Sequence, residues 1–277
     1  MILKDIPVTD DHMHIDPVNG KGIKAAMEFK RSGGTHIFLV TKPSWSFGIT
    51  PQSGEDFRPV FEKTIKLADE ITENGVKTFP ILGVHPAEIG KLTAAGMTVD
   101  KAADVMASGL TLAAEYVRDN KAVALKSGRP HYEVTPEVWD ASNRVLEHAI
   151  ALAENADCAL QIHAETGPCE DVVLMAENSG MDIQRIVKHF GVPETPLTPS
   201  LIAKHESIPD LARQGRLFTM ESDYMDENSR PGSVIGPKSV PRFTRKLIES
   251  GKITEEQAYK IHKGNPEKIY GVEINLD

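Results

Sequence analysis

The chain has 277 residues, of which 40% are hydrophobic and 26% charged, and a formal net charge of −9. That length is close to the roughly 250 residues typical of one eight-stranded α/β barrel, and no stretch approaches the roughly 20 apolar residues a membrane helix needs. The acidity argues against broad adhesion to nucleic acid. Two cysteines, Cys158 and Cys169, are too few for a disulfide framework, and the opening "MILKDIPVTDDHMH" lacks the apolar region of a secretory signal, so a cytoplasmic protein is expected.

Short apolar runs alternate with longer amphipathic ones from end to end, the pattern of strands and helices around a parallel sheet. Strands are expected at 6–14, 35–42, 77–85, 121–127, 158–165, 184–190, 199–205 and 216–223. Helices are expected near 22–32, 58–74, 98–119, 136–155, 168–180 and 207–214, then near 239–250 and 254–263. In the fourth, Pro136 follows Thr135 as a first-turn pair, and Val138, Val145, Ala149 and Leu152 mark one apolar stripe. Thr254 with Gln257 fits a capping box, and Gly264 is expected to stop the last helix. Nothing resembles a linker, so residues 1–277 read as one (β/α)8 TIM-barrel domain, with the Pro/Gly-rich stretch 229–242 as a functional loop.

The segment "DHMH" places His12 and His14 two apart in a strand, where both rings project to one face. His85, Lys126, His163, His189 and His205 end the third to seventh strands, and Asp223 follows the eighth. In a barrel these ends share the face on which active sites are built. Six of the ten histidines (12, 14, 85, 163, 189 and 205) fall there, whereas His36, His148 and His262 do not and read as structural or surface residues. Imidazole with carboxylate suits zinc and related divalent ions, and a catalytic centre keeps a position open for water.

The ordered set "DHMH", "GVHP", "QIHAE", "RIVKH" and "MESD", with the closing "NPEKIYG" at 265–271, resembles the amidohydrolase superfamily, specifically its TatD-related branch. The resemblance spans nearly the whole chain and implies a barrel of the metallo-dependent hydrolase type. It implies that His12 and His14 bind one divalent ion, His163 and His189 a second, and that Asp223 binds beside the attacking water and carries its proton. The chain departs from the TatD pattern at strand four, where Gly-Glu-x-Gly is replaced by "LKSG" and Lys126 stands at the position of the bridging Glu. An ammonium between two dications would be strongly repelled. Other branches of the superfamily carboxylate a lysine with carbon dioxide to make a bridging carbamate, and the same is expected of Lys126; the alternative is a neutral or displaced Lys126 beside a single metal.

A second alignment would make His205, in "LIAKH", the ligand in place of His189, but "GMDIQRIVKHFG" fits the superfamily's sixth strand better. His85, His205, and Arg129 and His131 in "SGRPHY" are assigned to the substrate, since a guanidinium fork suits a carboxylate or phosphate. Lys238 and Arg242 are weaker candidates for the same task, and Trp45 and Phe47 for an apolar pocket wall. The function expected is hydrolysis of a phosphoester, ester or amide bond with two ions, zinc foremost. The alternative is a TatD-like metal-dependent deoxyribonuclease, disfavoured by the lack of a Lys/Arg run with interleaved aromatics. A structural-metal protein fits less well, because a structural site is closed by four ligands. Oligomeric state is left open.

Overall fold

The structure, a computed structural model, describes residues 5–229 and 234–276. Residues 230–233 of the expected functional loop and the first four residues of the chain lie outside the described residues. The strands are β1 (Thr9–His14), β2 (His36–Val40), β3 (Lys77–Gly83), β4 (Ala124–Gly128), β5 (Ala159–His163), β6 (Ile186–Lys188), β7 (Thr198–Ile202), β8 (Thr219–Glu221) and β9 (Tyr224–Met225). All pairings are parallel, in the order β8-β7-β6-β5-β4-β3-β2-β1-β9. Only Ser222 and Asp223 separate β8, at one end of this order, from β9 at the other. The two are successive halves of one interrupted strand, so the curled sheet is brought round on itself. This is the architecture of a TIM barrel, as the alternation of strands and helices leads one to expect.

Around the sheet run α1 (Ile23–Arg31), α2 (Arg58–Glu73), α3 (Glu88–Ala94), α4 (Val99–Arg118), α5 (Pro136–Asn155), α6 (Asp171–Ser179), α7 (Ile208–Arg213), α8 (Ser239–Glu249), α9 (Glu255–Tyr259) and α10 (Asn265–Tyr270). Thr135 caps α5 through the Val138 amide, and Thr254 with Gln257 closes a capping box on α9. Three short elements, α3, β9 and α10, are not expected from the sequence; seven, two and six residues are too few to carry a periodic signal. Among the described residues no helix is long and apolar enough to cross a membrane.

Strand alternation sorts the core. On β2, Ile37 and Leu39 pack outward against α1 and α2, while Phe38 and Val40 face inward with Phe79, Ile81, Ala124, Ala159 and Val187. The inner cluster is closed by Ile269, Tyr270 and Ile274, and the ring of Tyr270 lies 4.2 Å from that of Phe38. The C-terminal segment is therefore the floor of the barrel, opposite the carboxyl ends of the strands.

Gly264 does not stop the last helix. Its φ of −58° is right-handed, and the chain passes from α9 through a π turn (Lys260–Gly264) directly into α10, ending at Gly271 with φ +67°. Pro266 sits in the first turn of α10, directly after the π turn, where the regular helical ladder is already interrupted. The wider turn carries His262 inward to bond Thr9 and, at 2.8 Å, the Thr244 hydroxyl, the structural role expected of it.

Asp226, just beyond β9, clips the closure. Its carboxylate accepts the amides of Asp16, Lys21 and Gly22 at 2.8–3.0 Å and the Tyr224 hydroxyl at 2.9 Å. A Cβ on Gly20 would strike this carboxylate, so the loop after β1 needs glycine there. Leaving several buried donors unmet is costly: Asp226→Ala should lower unfolding free energy by about 3 kcal/mol, read from urea denaturation, with a native-like circular dichroism spectrum before the transition.

Candidate metal centre

The register of β1 against β2 slips between Asp10 and Met13. Such a bulge re-aims side chains, and here it lets the consecutive residues Asp11 and His12 both reach Gln161 on β5, at the Asp11 carbonyl and at the imidazole. Asp10 steadies the irregularity by accepting the amides of His12 and Ser222 at 3.2 and 3.0 Å.

His12 and His14 do share a face, and their outer nitrogens are held in a defined state. His14 Nδ1 lies 3.0 Å from the Val40 carbonyl, which can only accept, so Nδ1 carries the proton and Nε2 a lone pair. His12 Nδ1 lies 2.7 Å from Gln161 Oε1. That amide cannot be turned over, because its nitrogen donates to the Asp11 carbonyl at 2.7 Å and to Tyr270 Oη at 2.8 Å, with Tyr270 in turn donating to Asp11 at 3.1 Å. His12 Nε2 therefore also presents a lone pair. The two Nε2 atoms are 3.0 Å apart, so two lone pairs face each other with a proton available to neither from its own ring; a shared cation satisfies both.

Carboxylates complete the surroundings. Asp223 Oδ1 is 3.9 Å from His12 Nε2, placed there by the break between β8 and β9, where Asp223 takes a left-handed φ of 46° that Asp tolerates. Glu221, wholly buried on β8, accepts the Phe190 amide at 2.7 Å and lies 3.4 Å from His189 Nδ1. The His189 ring stacks on His12 at 4.0 Å. His12, His14 and Asp223 form one group of donor atoms within 4.8 Å of one another, and His12, His189 and Glu221 a second. Neutral nitrogen and carboxylate oxygen at these separations fit a divalent cation.

His163 stands one ring further out, its Nδ1 2.7 Å from His189 Nε2 and its Nε2 2.6 Å from His131 Nδ1. His85 packs 4.8 Å from His163. Its Nδ1 accepts the Ala87 amide at 3.1 Å, which leaves an N–H rather than a lone pair at Nε2. Burial drives the basicity of His12, His85, His163 and His189 far down, and takes His14 to about 3. The charge of Lys126 depresses all five in the same sense, which puts its amine among them. Lys126 Nζ is buried with no hydrogen-bond partner among the described residues, and burial brings it down to about 7 against the pull of Asp223 and Glu221. Gly128 is required beside it, because its φ of +148° and the carbonyl of His163 leave no room for a side chain.

The structure thus brings His12, His14, Lys126, His189 and Asp223 together, with His163, His131 and His85 against them. His205 is not in this cluster; it lies beyond β7, its Nδ1 accepting the Ser207 amide at 3.2 Å. Arg129 corrects the sequence reading. All five of its donors are spent inside the protein, on Glu165, Asp171 and Asn143, and its guanidinium lies 4.6 Å over Trp139, so it ties β4 to α5 and α6 and has no fork left for substrate. Lys238 pairs with Glu28 at 3.3 Å, Trp45 meets His85 at 6.0 Å, and both cysteines are buried thiols. Sequence reasoning missed Glu221 and Gln161. Glu221 repeats the i, i+2 spacing of the two histidines relative to Asp223, which is a usable signal; nothing local marks Gln161, whose partners are remote in sequence.

Comparison with known proteins supplies the family. The family described as TatD related DNase matches residues 9–271. The chain belongs to that family. An uncharacterized protein of Methanocaldococcus jannaschii, MJ1127, is 34% identical over 99% of both chains. Among solved structures, the Escherichia coli TatD homolog YjjV is similar with a TM-score of 0.58 at 16% identity, covering 98% of this chain and 100% of that one. An organophosphate hydrolase engineered from a weak promiscuous lactonase is similar with a TM-score of 0.62 at 13% identity, covering 97% of each. As a member of this family the chain is a hydrolase.

Two outcomes are expected at the centre. Gln161→Leu should weaken divalent-ion binding by about 10–100-fold with the fold intact, as loss of a ligand's orienting partner does, measured by competition with a chromogenic chelator; Gln161→Glu, which keeps an acceptor at His12, should lose less. Burial lifts Asp223 to about 7, so below that pH an incoming cation must displace a proton. Binding should therefore tighten as pH rises from 6 to 8 and release protons, seen as a buffer-dependent heat in calorimetry.

Proposed function

We propose that the chain hydrolyses an ester, phosphoester or amide bond of a small molecule with the help of two divalent ions, zinc foremost. The observation that carries the reading is the pair of imidazole lone pairs facing one another at 3.0 Å beside Asp223. His12 and His14 would hold one ion and His189, with His163, the second; Asp223 lies within reach of the first and Glu221 of the second. Bound there, such ions supply Lewis acidity and bring the pKa of a coordinated water towards about 7.

The chain's own groups supply the rest. Asp223, lifted by burial into the neutral range, takes a proton from the attacking water and returns it to the leaving group. His85 offers its Nε2 proton to a developing negative charge. Lys126 is suited to carboxylation: with its amine brought to about 7, a substantial neutral fraction exists at neutral pH. The nitrogen lone pair attacks carbon dioxide, an N–C bond forms, one proton leaves to solvent, and the carbamate that results is an anion in place of a cation. That exchange relieves the repulsion an ammonium would exert on bound cations.

The family description and an acidic chain point in opposite directions on nucleic acid. The test therefore has two arms: metal-loaded protein is offered a panel of phosphoesters, carboxylic esters and amides, and single-stranded DNA. Turnover in the first arm and none in the second is the expected result; DNA cleavage alone would replace this reading with the nuclease. Asp223→Asn should reduce turnover by about 10²–10⁴-fold without unfolding. Lys126→Ala should bind fewer ions than the parent by elemental analysis, and two ions retained in that variant would rule out the bridge.

A further inference from the structure

Beside the metal centre lies a cleft of about 600 Å³ lined by Thr166, Phe190, Val192, Ile202, His205 and Val234, among others. Its walls come from the carboxyl ends of the strands: Thr166 is three residues beyond His163, Phe190 directly follows His189, Ile202 ends β7, and Val234 lies beyond β9. The volume is within the roughly 300–1,000 Å³ of small-molecule sites. None of the residues assigned to the metal centre lines it, so it is a neighbour of the centre and not the centre itself.

Phe190 is the informative residue. It is 53% exposed and sits at a φ of +49°, a conformation that is unusual for a bulky side chain. Its amide donates to Glu221 Oε1 at 2.7 Å, so a buried carboxylate of the metal centre holds the backbone in this state. The consequence is an aromatic ring kept in water at the cleft instead of turned into the core. Val234, which also lines the cleft, is likewise 42% exposed with a φ of +60°. Two large apolar side chains held open toward one cleft are unfavourable in water and favourable against an apolar ligand. Charge gives no competing reading, because Lys204 on the rim is offset by Glu206. His205, its Nδ1 occupied by the Ser207 amide, offers an Nε2 proton at the same rim.

We infer that this cleft binds an apolar acyl or alkyl group of several carbons attached to the bond that is cleaved, an inference that rests on the hydrolase reading above. Phe190 and Val234 then act as determinants of specificity, and His205 contacts substrate without being a metal ligand. A short polar ester would use the centre and leave the cleft unfilled.

The test uses metal-loaded protein and p-nitrophenyl esters of acetate, butyrate, hexanoate and octanoate, which share one leaving group. kcat/KM should rise by about two- to fourfold per added methylene, the fold-change that burying a CH2 group supplies. Phe190→Ala and Val234→Asp should each cut the ratio of octanoate ester to acetate ester by at least about tenfold; a merely structural role would lower both rates alike and leave the ratio where it was. Calorimetry provides a second readout: octanoate should bind more tightly than acetate to the parent and lose that advantage in both variants. A flat chain-length profile, or an unchanged ratio in both variants, overturns the inference. If no ester is hydrolysed at all, the carboxylic-ester branch of the proposed function falls, and the octanoate titration still decides whether the cleft takes an apolar chain.

Discussion

Two rings that cannot protonate each other set the conditions for the rest of this molecule. The Val40 carbonyl and the Gln161 amide oxygen take the Nδ1 protons of His14 and His12, and the fold then brings the two bare Nε2 atoms to 3.0 Å. In water each lone pair would be hydrated. In a buried strand end they repel unless a cation lies between them. The basicity of the surrounding imidazoles points the same way: burial and the nearby Lys126 hold them neutral, the state in which an imidazole can offer a lone pair to a cation. The carboxylates show the complementary strain: burial pushes Glu221 and Asp223 upward, and the charge of Lys126 draws Asp223 only partly back.

That arrangement reaches to the far end of the barrel. Gln161 is oriented by Asp11 and Tyr270, and Tyr270 belongs to α10, the helix that closes the floor. The continuation of the chain through the π turn at 260–264 is what brings α10 under the sheet. A side chain from the C-terminal helix thereby helps decide which nitrogen of His12 faces the metal centre. The closure of the sheet has a similar double use: the interruption between β8 and β9 seats Asp223 at the centre while the two halves pair with β7 and β1.

Histidine is economical in such a site because its two nitrogens are separable. The inner one can be fixed by the protein and the outer one committed to the ligand. His85 and His205 show the opposite wiring. Each accepts a backbone amide at Nδ1 and so exposes an N–H, which suits contact with an electron-rich substrate atom and not with a metal. Residues at equivalent strand ends thus differ in whether a lone pair or an N–H faces outward, and a single local hydrogen bond decides it.

The sequence by itself determined the barrel and the end of it that matters. Alternating apolar runs are imposed by the two-residue period of a strand with one face on helices and the other on the inner core, as Ile37 and Phe38 show. Polar residues that interrupt those runs at strand ends have nowhere to go but the mouth, which is why His12, His14, Lys126, His163, His189 and Asp223 are legible as one group in the sequence. Tertiary structure alone decided what depends on partners far apart along the chain. Arg129 reads as a free guanidinium until Glu165 and Asp171 are seen to consume it. Gln161 reads as an ordinary strand residue until the bulge at Asp11 and the arrival of Tyr270 lock its amide. Gly264 reads as a stop although its backbone is right-handed. Periodicity is a local property, written into neighbouring residues; hydrogen-bond partnership and electrostatic environment are set by distances through space, which only the folded chain defines.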